Sequence, residues 1–237
     1  MRPPCAYRLF PSNPVISVDY AKALLNNKKS KECIDVLNKT LILPQEGAKE
    51  GHELFELANI ALALDYMELK KYKAATKYLV NSKQYPEKLG EGKPYNADYR
   101  LQDYLLAYCA KQIKDEKTAS QCYQNIIDFS SDPDRFNSPR NAATNYLSLL
   151  VLNKQGHKNQ ADELLKGWQH CRDSLSVWHI SNIDESTQMQ WVLTKIKDPL
   201  ADTKVLEQKV TGSGPISNFT LFLRALDLVE EKRRLNQ

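Results

Sequence analysis

Glycine is scarce in this sequence, eight among 237 residues, and it gathers in a few joints. Little β-branched alternation accompanies that scarcity, while Leu, Ala, Lys and Tyr abound, a composition that favours helix over sheet. No apolar run approaches the roughly 20 residues that a spanning helix needs, so membrane insertion is not expected. The opening MRPPCAYRLFPSNP is proline-rich and has no continuous apolar stretch, so it does not read as a signal peptide. A block of single-sign charge is missing too. The net charge of +4 is small and scattered, which argues against nucleic acid and for a mixed, solvated surface. The five cysteines, at 5, 33, 109, 122 and 171, are odd in number and form no C-x-x-C pair. That speaks against a disulfide framework or a zinc site and for a reducing, cytoplasmic compartment. The 42% hydrophobic and 26% charged content is that of a soluble globular chain long enough to bury a core.

What the sequence does contain is a repeat. NKKSKECIDVLNKTLILP, LKKYKAATKYLVNSKQYP, IKDEKTASQCYQNIIDFSSDP and KQGHKNQADELLKGWQHC align on a small residue followed four positions later by a large apolar one. The pairs are Cys33 and Leu37, Ala75 and Leu79, Ala119 and Tyr123, and Ala161 and Leu165; the small residues recur at intervals of 42, 44 and 42. Twelve positions before each lies Ala21, Ala63, Ala107 or, in the fourth unit, Leu149. Apolar flanks at i, i+4 make both segments of each unit helical. Short polar joints separate them, so each unit reads as a helical hairpin whose small residues let the two helices cross closely.

The expected helices are 14–27, 31–43, 49–69, 72–85, 98–113, 116–129, 139–155 and 158–172. Asn13-Pro14 and Ser138-Pro139 read as an N-cap with proline at the first helical position. Ser30 is a further cap candidate, and Pro44 and Pro86 close the second helices of their units. The organisation that follows is an N-terminal extension over 1–12, then four hairpins near 13–44, 48–86, 98–130 and 138–172. A C-terminal helical cap over 173–237 has a linker near 211–217. Its last helix carries Phe219, Phe222, Leu223, Leu226 and Val229 on one face and ends in the polar EEKRRLNQ, as suits a sealing helix.

These units resemble the tetratricopeptide repeat, a helix-turn-helix with A-x-x-x-F in its second helix. The best match is 59–86, with Leu62, Ala63, Tyr66, Ala75, Leu79 and Pro86 at pattern positions. The period here exceeds the family's, about 34 residues, because the joints between units are longer. Tryptophan is absent from the first helices, and only Gly156 supplies glycine at an inter-helix turn. The resemblance implies an all-α fold, a right-handed α-α superhelix of about four hairpins plus capping helices; a HEAT-type array is the structural alternative. A narrower likeness runs over roughly residues 10 to 170, carried by NPVISVDYAKAL, LILPQEGAKEGHELFELANIAL and YPEKLGEGKPYNADYRLQDYL. It is to the helical C-terminal region of large bacterial proteins with β-rich, carbohydrate-active-looking domains ahead of it.

One stretch imitates a phosphate loop: Gly90-Glu91-Gly92-Lys93-Pro94. A P-loop needs G-x-x-x-x-G-K-[ST] between strand and helix. Here the glycines are two apart, Pro94 replaces the hydroxyl residue and offers no N–H, and the flanks are helical. The expected role is a joint: Gly90 ends the preceding helix, Gly92 turns the chain, and Asp98 caps the next helix. A small interaction role for Lys93 and Tyr95 stays open. His170, Cys171 and His179 match no common metal spacing. Glu53, Glu56, Asp65 and Glu68 read as a solvated helix face rather than a catalytic carboxylate pair. Cys33, Cys109 and Cys122 occupy packed positions. No catalytic residue, cofactor site or metal site is expected, and the chain does not read as an enzyme.

The expected function is a non-catalytic scaffold that binds a protein or peptide partner, or an adjacent domain of a longer chain. The alternative is an accessory part of a larger carbohydrate-processing enzyme. By the tetratricopeptide resemblance, first helices line the binding groove. The candidates are then Leu64, Met67 and Glu68; Tyr104, Tyr108 and Lys111; and Tyr146, Leu150, Asn153 and Lys154. The Lys-and-Asn clamp with which some relatives hold a C-terminal carboxylate is missing, since Tyr104, Tyr108, Tyr146 and Leu150 stand in its place. The tyrosines suit recognition, and packing against the next repeat is their other possible use.

Overall fold

The computed structural model describes residues 5–44, 49–132, 142–175, 183–198, 201–211 and 216–234. Ser138-Pro139, His179, and residues 212–215 of the expected linker lie outside the described residues, as do the side chains of His170 and Cys171. Within them the chain is all-helical, with no strand. The helices are α1 (Cys5–Leu9), α2 (Pro14–Asn26), α3 (Ser30–Leu37), α4 (Lys49–Glu68), α5 (Tyr72–Ser82), α6 (Arg100–Gln112) and α7 (Glu116–Ser131). They continue with α8 (Ala142–Lys154), α9 (Lys158–Leu175), α10 (Ile183–Lys197), α11 (Lys204–Thr211) and α12 (Asn218–Arg234), and a 3-10 turn occupies Glu87–Leu89.

Four helix pairs, α2–α3, α4–α5, α6–α7 and α8–α9, are joined by one and the same turn. In each, one residue takes the left-handed conformation: Lys28 (φ 59°), Lys70 (57°), Lys114 (61°) and Gly156 (82°). The next amide reaches back across the turn to close the first helix: Lys29 to the Leu24 carbonyl (2.9 Å), Lys71 to Tyr66 (2.8 Å), Asp115 to Ala110 (2.9 Å), His157 to Leu152 (2.9 Å). This is the six-to-one bond of a Schellman cap. The repeat-marking small residue then opens the second helix. Cys33 donates to Lys29, Ala75 to Lys71, Ala119 to Asp115 and Ala161 to His157, at 3.0 to 3.1 Å. Sequence period and backbone geometry therefore share one register.

The small residues are buried where the period places them. Ala21, Cys33, Ala63, Ala75, Ala107 and Ala119 have no exposed surface. A leucine at Ala75 would overpack by about 1–3 kcal/mol. Asn13 caps α2 as expected, its Oδ1 accepting the Ile16 amide at 3.2 Å with Pro14 at the first helical position. Ser30 does not cap α3; it is the helix's first residue, and Lys29 before it makes no side-chain cap bond.

Two second helices stop early, α3 at Leu37 rather than 43 and α5 at Ser82 rather than 85. Hydroxyls compete for their last carbonyls: Thr40 Oγ1 donates to Val36 (2.9 Å) and Ser82 Oγ to Leu79 (2.8 Å). The freed chain after α3 runs past the 3-10 turn. The Ile42 amide donates to the Lys88 carbonyl at 2.7 Å, burying Ile42 while Leu41 and Leu43 face outward. Gly90 ends this 3-10 turn, not α5. Its φ of +73° and the 2.8 Å that a Cβ would leave to the Ile42 carbonyl oxygen both demand glycine.

The chain forms two compact units. One comprises Met1–Ala97, Gln112–Lys114 and Pro215–Gln237; in it α4 packs on α2, α3, α5 and α12. The other comprises Asp98–Lys111 and Asp115–Gly214, and there α8 packs on α7, α9 and α10. On α12, Phe219, Phe222, Ala225, Leu226 and Val229 are buried, and Leu223 is half-buried. Arg224 fastens α12 to α4 through Asp65 (2.7 Å) and Glu68 (2.6 Å).

Candidate functional site

In the second unit, α6 and α8 are held by a buried polar cluster. Arg100, 1% exposed, opens α6 on the apolar stripe that continues through Tyr104. A charge in that position requires complete pairing. Its Nε donates to Asp98 Oδ1 (2.9 Å) and its Nη2 to Asp98 Oδ2 (2.8 Å) and Thr144 Oγ1 (3.0 Å). Its Nη1 donates to Asn145 Oδ1 (2.8 Å) and Ser148 Oγ (2.9 Å), so all five guanidinium protons are used. Thr144 Oγ1 donates to Asp98 Oδ2 at 2.9 Å, and Ser130 of α7 joins Ser148 at 2.6 Å. The Phe129 ring lies 4.6 Å from the guanidinium carbon. Burial alone would raise the Asp98 titration. The Arg100 charge and hydrogen bonds, with Thr144, outweigh it and hold the carboxyl below the usual range. Asp98 also accepts the Arg100 amide at 3.1 Å, which supplies the expected cap of α6.

The far ends of α6 and α8 meet on one ring. Lys111 Nζ lies 5.3 Å and Lys154 Nζ 5.1 Å from the centroid of Tyr123 on α7, and Lys154 donates to the Tyr123 hydroxyl at 3.1 Å. α6 and α8 thus share the Arg100 cluster near their N-terminal ends and the Tyr123 ring near their C-terminal ends. Lys111, Asn153 and Lys154 are exposed, and Tyr108 is half-buried. Tyr146 is half-buried as well, its ring set edge-on to Trp191 at 5.4 Å, so it packs within its unit. Trp191 is itself fixed by a 2.8 Å bond from Nε1 to Glu207 Oε1.

Three candidates do not offer free surface. Tyr104 is 2% exposed, Met67 1% and Leu64 0%. A tetratricopeptide reading leaves one side of each first helix open, but α4 is packed by α2, α3, α5 and α12, and its Asp65 and Glu68 are engaged by Arg224. Tyr104 follows Arg100 by one helical turn and shares its buried face. Glu68 is exposed but paired, and Leu150 is half-buried. Of the expected face, the structure brings together Lys111 and Lys154, with Asn153 beside them in sequence.

The central ring, Tyr123, entered the sequence reading only as a packing position; two lysines converging on it is a tertiary fact without local signal. Arg100 did leave a signal, a charged residue four before Tyr104 on an apolar stripe. Cys33, Cys109 and Cys122 are buried, and burial pushes the Cys33 thiol up to about 12. Among the described residues no group of three metal-ligating side chains occurs, and no helix is long and apolar enough to cross a membrane. Comparison with known protein families, curated proteins and solved structures returns no match.

Proposed function

We propose that this chain is a non-catalytic scaffold of tetratricopeptide type, built as a right-handed α-α superhelix, that binds an acidic protein or peptide segment. Its partner face is Lys111, Asn153 and Lys154 around Tyr123, flanked by Tyr108. The observation that carries this reading is the single turn geometry shared by four hairpins in the register of the sequence repeat. Repeated helical hairpins stack into extended surfaces suited to other chains. The choice of an acidic partner rests on the two lysine ammoniums held about 5 Å from one ring. The ring attracts Lys111, the Tyr123 hydroxyl accepts from Lys154, and two exposed ammoniums converging on one side chain favour an arriving carboxylate. Five cysteines, odd in number and without a C-x-x-C pair, suit a reducing, cytoplasmic compartment.

Selection of a displayed random-peptide library on the immobilised full chain tests the proposal. Enrichment of peptides carrying Asp or Glu beside an aromatic or aliphatic residue is the expected result. Recovery of no binder, or of binders without acidic groups, contradicts it.

A further inference from the structure

In the first unit, His52 on α4 meets the segment 84–91. The ring is 3% exposed and stacked on Tyr85, centroids 3.7 Å apart and planes inclined by 12°. Its Nε2 lies 3.1 Å from the Gln84 carbonyl oxygen. A carbonyl only accepts, so the ring's proton sits on Nε2 and the neutral ring presents a lone pair at Nδ1. Facing that lone pair, 3.6 Å away, is Glu91 Oε2, a buried carboxylate oxygen with no hydrogen-bond partner. Two acceptors thus face each other across a gap too long for a hydrogen bond.

Other ties hold the segment as well. The Ile42 amide donates to the Lys88 carbonyl, Lys88 Nζ donates to the Asn38 carbonyl, Gly90 backs onto Ile42, and Leu89 is 1% exposed. Gly51, next to His52, would bring a Cβ within 2.4 Å of Ile42 Cδ1, so α4, residues 40–43 and residues 84–91 meet at this one place. The charged groups that reach the ring are Glu91 from the segment and Glu53 from α4; Tyr85 is the titratable group on its face.

We propose that His52 is a proton-operated pin, which holds residues 84–91 against α4 while the ring is neutral and releases them when Nδ1 takes up a proton. A charged ring in this position has lost its water and is stacked face-on. Its nearest counter-charge, Glu91 at 3.6 Å, stands beyond hydrogen-bond length, whereas an open segment lets water solvate the ring. Burial lowers the His52 titration below the ordinary imidazole value, and the Gln84 carbonyl, Glu91 and Glu53 offset only part of that. A base that is harder to protonate when folded contributes stability that is complete above its unfolded value of about 6.5 and is lost as pH falls through the folded value. Release bares Ile42 and Leu89 beside the already exposed Leu41 and Leu43.

Amide hydrogen exchange on the full chain, corrected for intrinsic rates, reads the pin directly at Ile42, Leu89 and Gly90. From about pH 7.5 to about pH 5.5, protection there should fall severalfold, with about tenfold as the ceiling for one proton, and with a midpoint below about 6.5. The Lys71 amide, in the α4–α5 turn of the same unit, should keep its protection. In His52→Gln, whose side-chain amide still donates but does not titrate, the response should vanish. Should that variant fail to fold, Glu91→Gln serves, and its midpoint should move to lower pH because the attracting charge is gone. Protection that is flat or rises in acid overturns the proposal. So does simultaneous loss at Lys71, a response that persists in His52→Gln, or a midpoint raised in Glu91→Gln.

Discussion

Arg100 and Asp98 meet fork to fork inside the second unit, Nε to Oδ1 at 2.9 Å and Nη2 to Oδ2 at 2.8 Å, two residues apart in sequence. With Thr144, Asn145 and Ser148 taking the remaining protons, the guanidinium is paired completely while 1% exposed. Removing one partner of such a pair strands a buried charge, so Arg100→Ala should cost about 3–5 kcal/mol in urea unfolding. Arg100→Lys should rescue little of this, because an ammonium cannot reproduce the five-donor fork. Arg224 is the contrast. It is paired with Asp65 and Glu68 but partly solvated, so Arg224→Ala should cost below about 1 kcal/mol through the ion pair.

The same pair sets an acid limb. Asp98 has its carboxyl held low by Arg100, so its contribution is complete above the unfolded value of about 3.9 and is lost as pH falls through the folded value. Urea midpoints of wild type and Asp98→Asn should therefore differ most at neutral pH and converge in acid. A constant gap down to about pH 2.5 contradicts this assignment.

The turns give a ranked series. At Gly156 a Cβ meets nothing within 4 Å, so Gly156→Ala should cost only the left-handed strain, about 1–2 kcal/mol. Gly90→Ala adds a backbone collision to the same strain and should cost more. At Gly51 the atom in the way is the tip of the Ile42 side chain, which can move, so Gly51→Ala should cost least of the three. In the other direction, Lys70→Gly should gain up to about 1 kcal/mol, the relief of strain exceeding the entropy glycine adds to the unfolded chain. Thermal and urea unfolding of the four variants checks the order.

The fold's helical pairs were legible because a hairpin writes its constraint into sequence: small residues at the crossing and a fixed count across the turn. The turn chemistry itself was not. Lys28, Lys70 and Lys114 occupy a conformation that glycine usually marks, and only Gly156 advertised it. The early ends of α3 and α5 escaped notice because Thr40 and Ser82 compete for carbonyls in a way that apolar periodicity does not record. At the candidate site, Lys111, Asn153 and Lys154 were readable as polar ends of first helices. The burial of Met67 was not, since four helices pack on α4, one of them α12, more than 150 residues later in the chain.

The proposed function stands on the lysine pair, and calorimetric titration of the full chain with a library-selected acidic peptide tests it most directly. Lys111→Glu with Lys154→Glu should weaken binding at least about thirtyfold, a loss above about 2 kcal/mol. The far-ultraviolet spectrum should be unchanged, and added salt should weaken the wild-type complex. Equal affinity for wild type and a folded double variant would contradict the account.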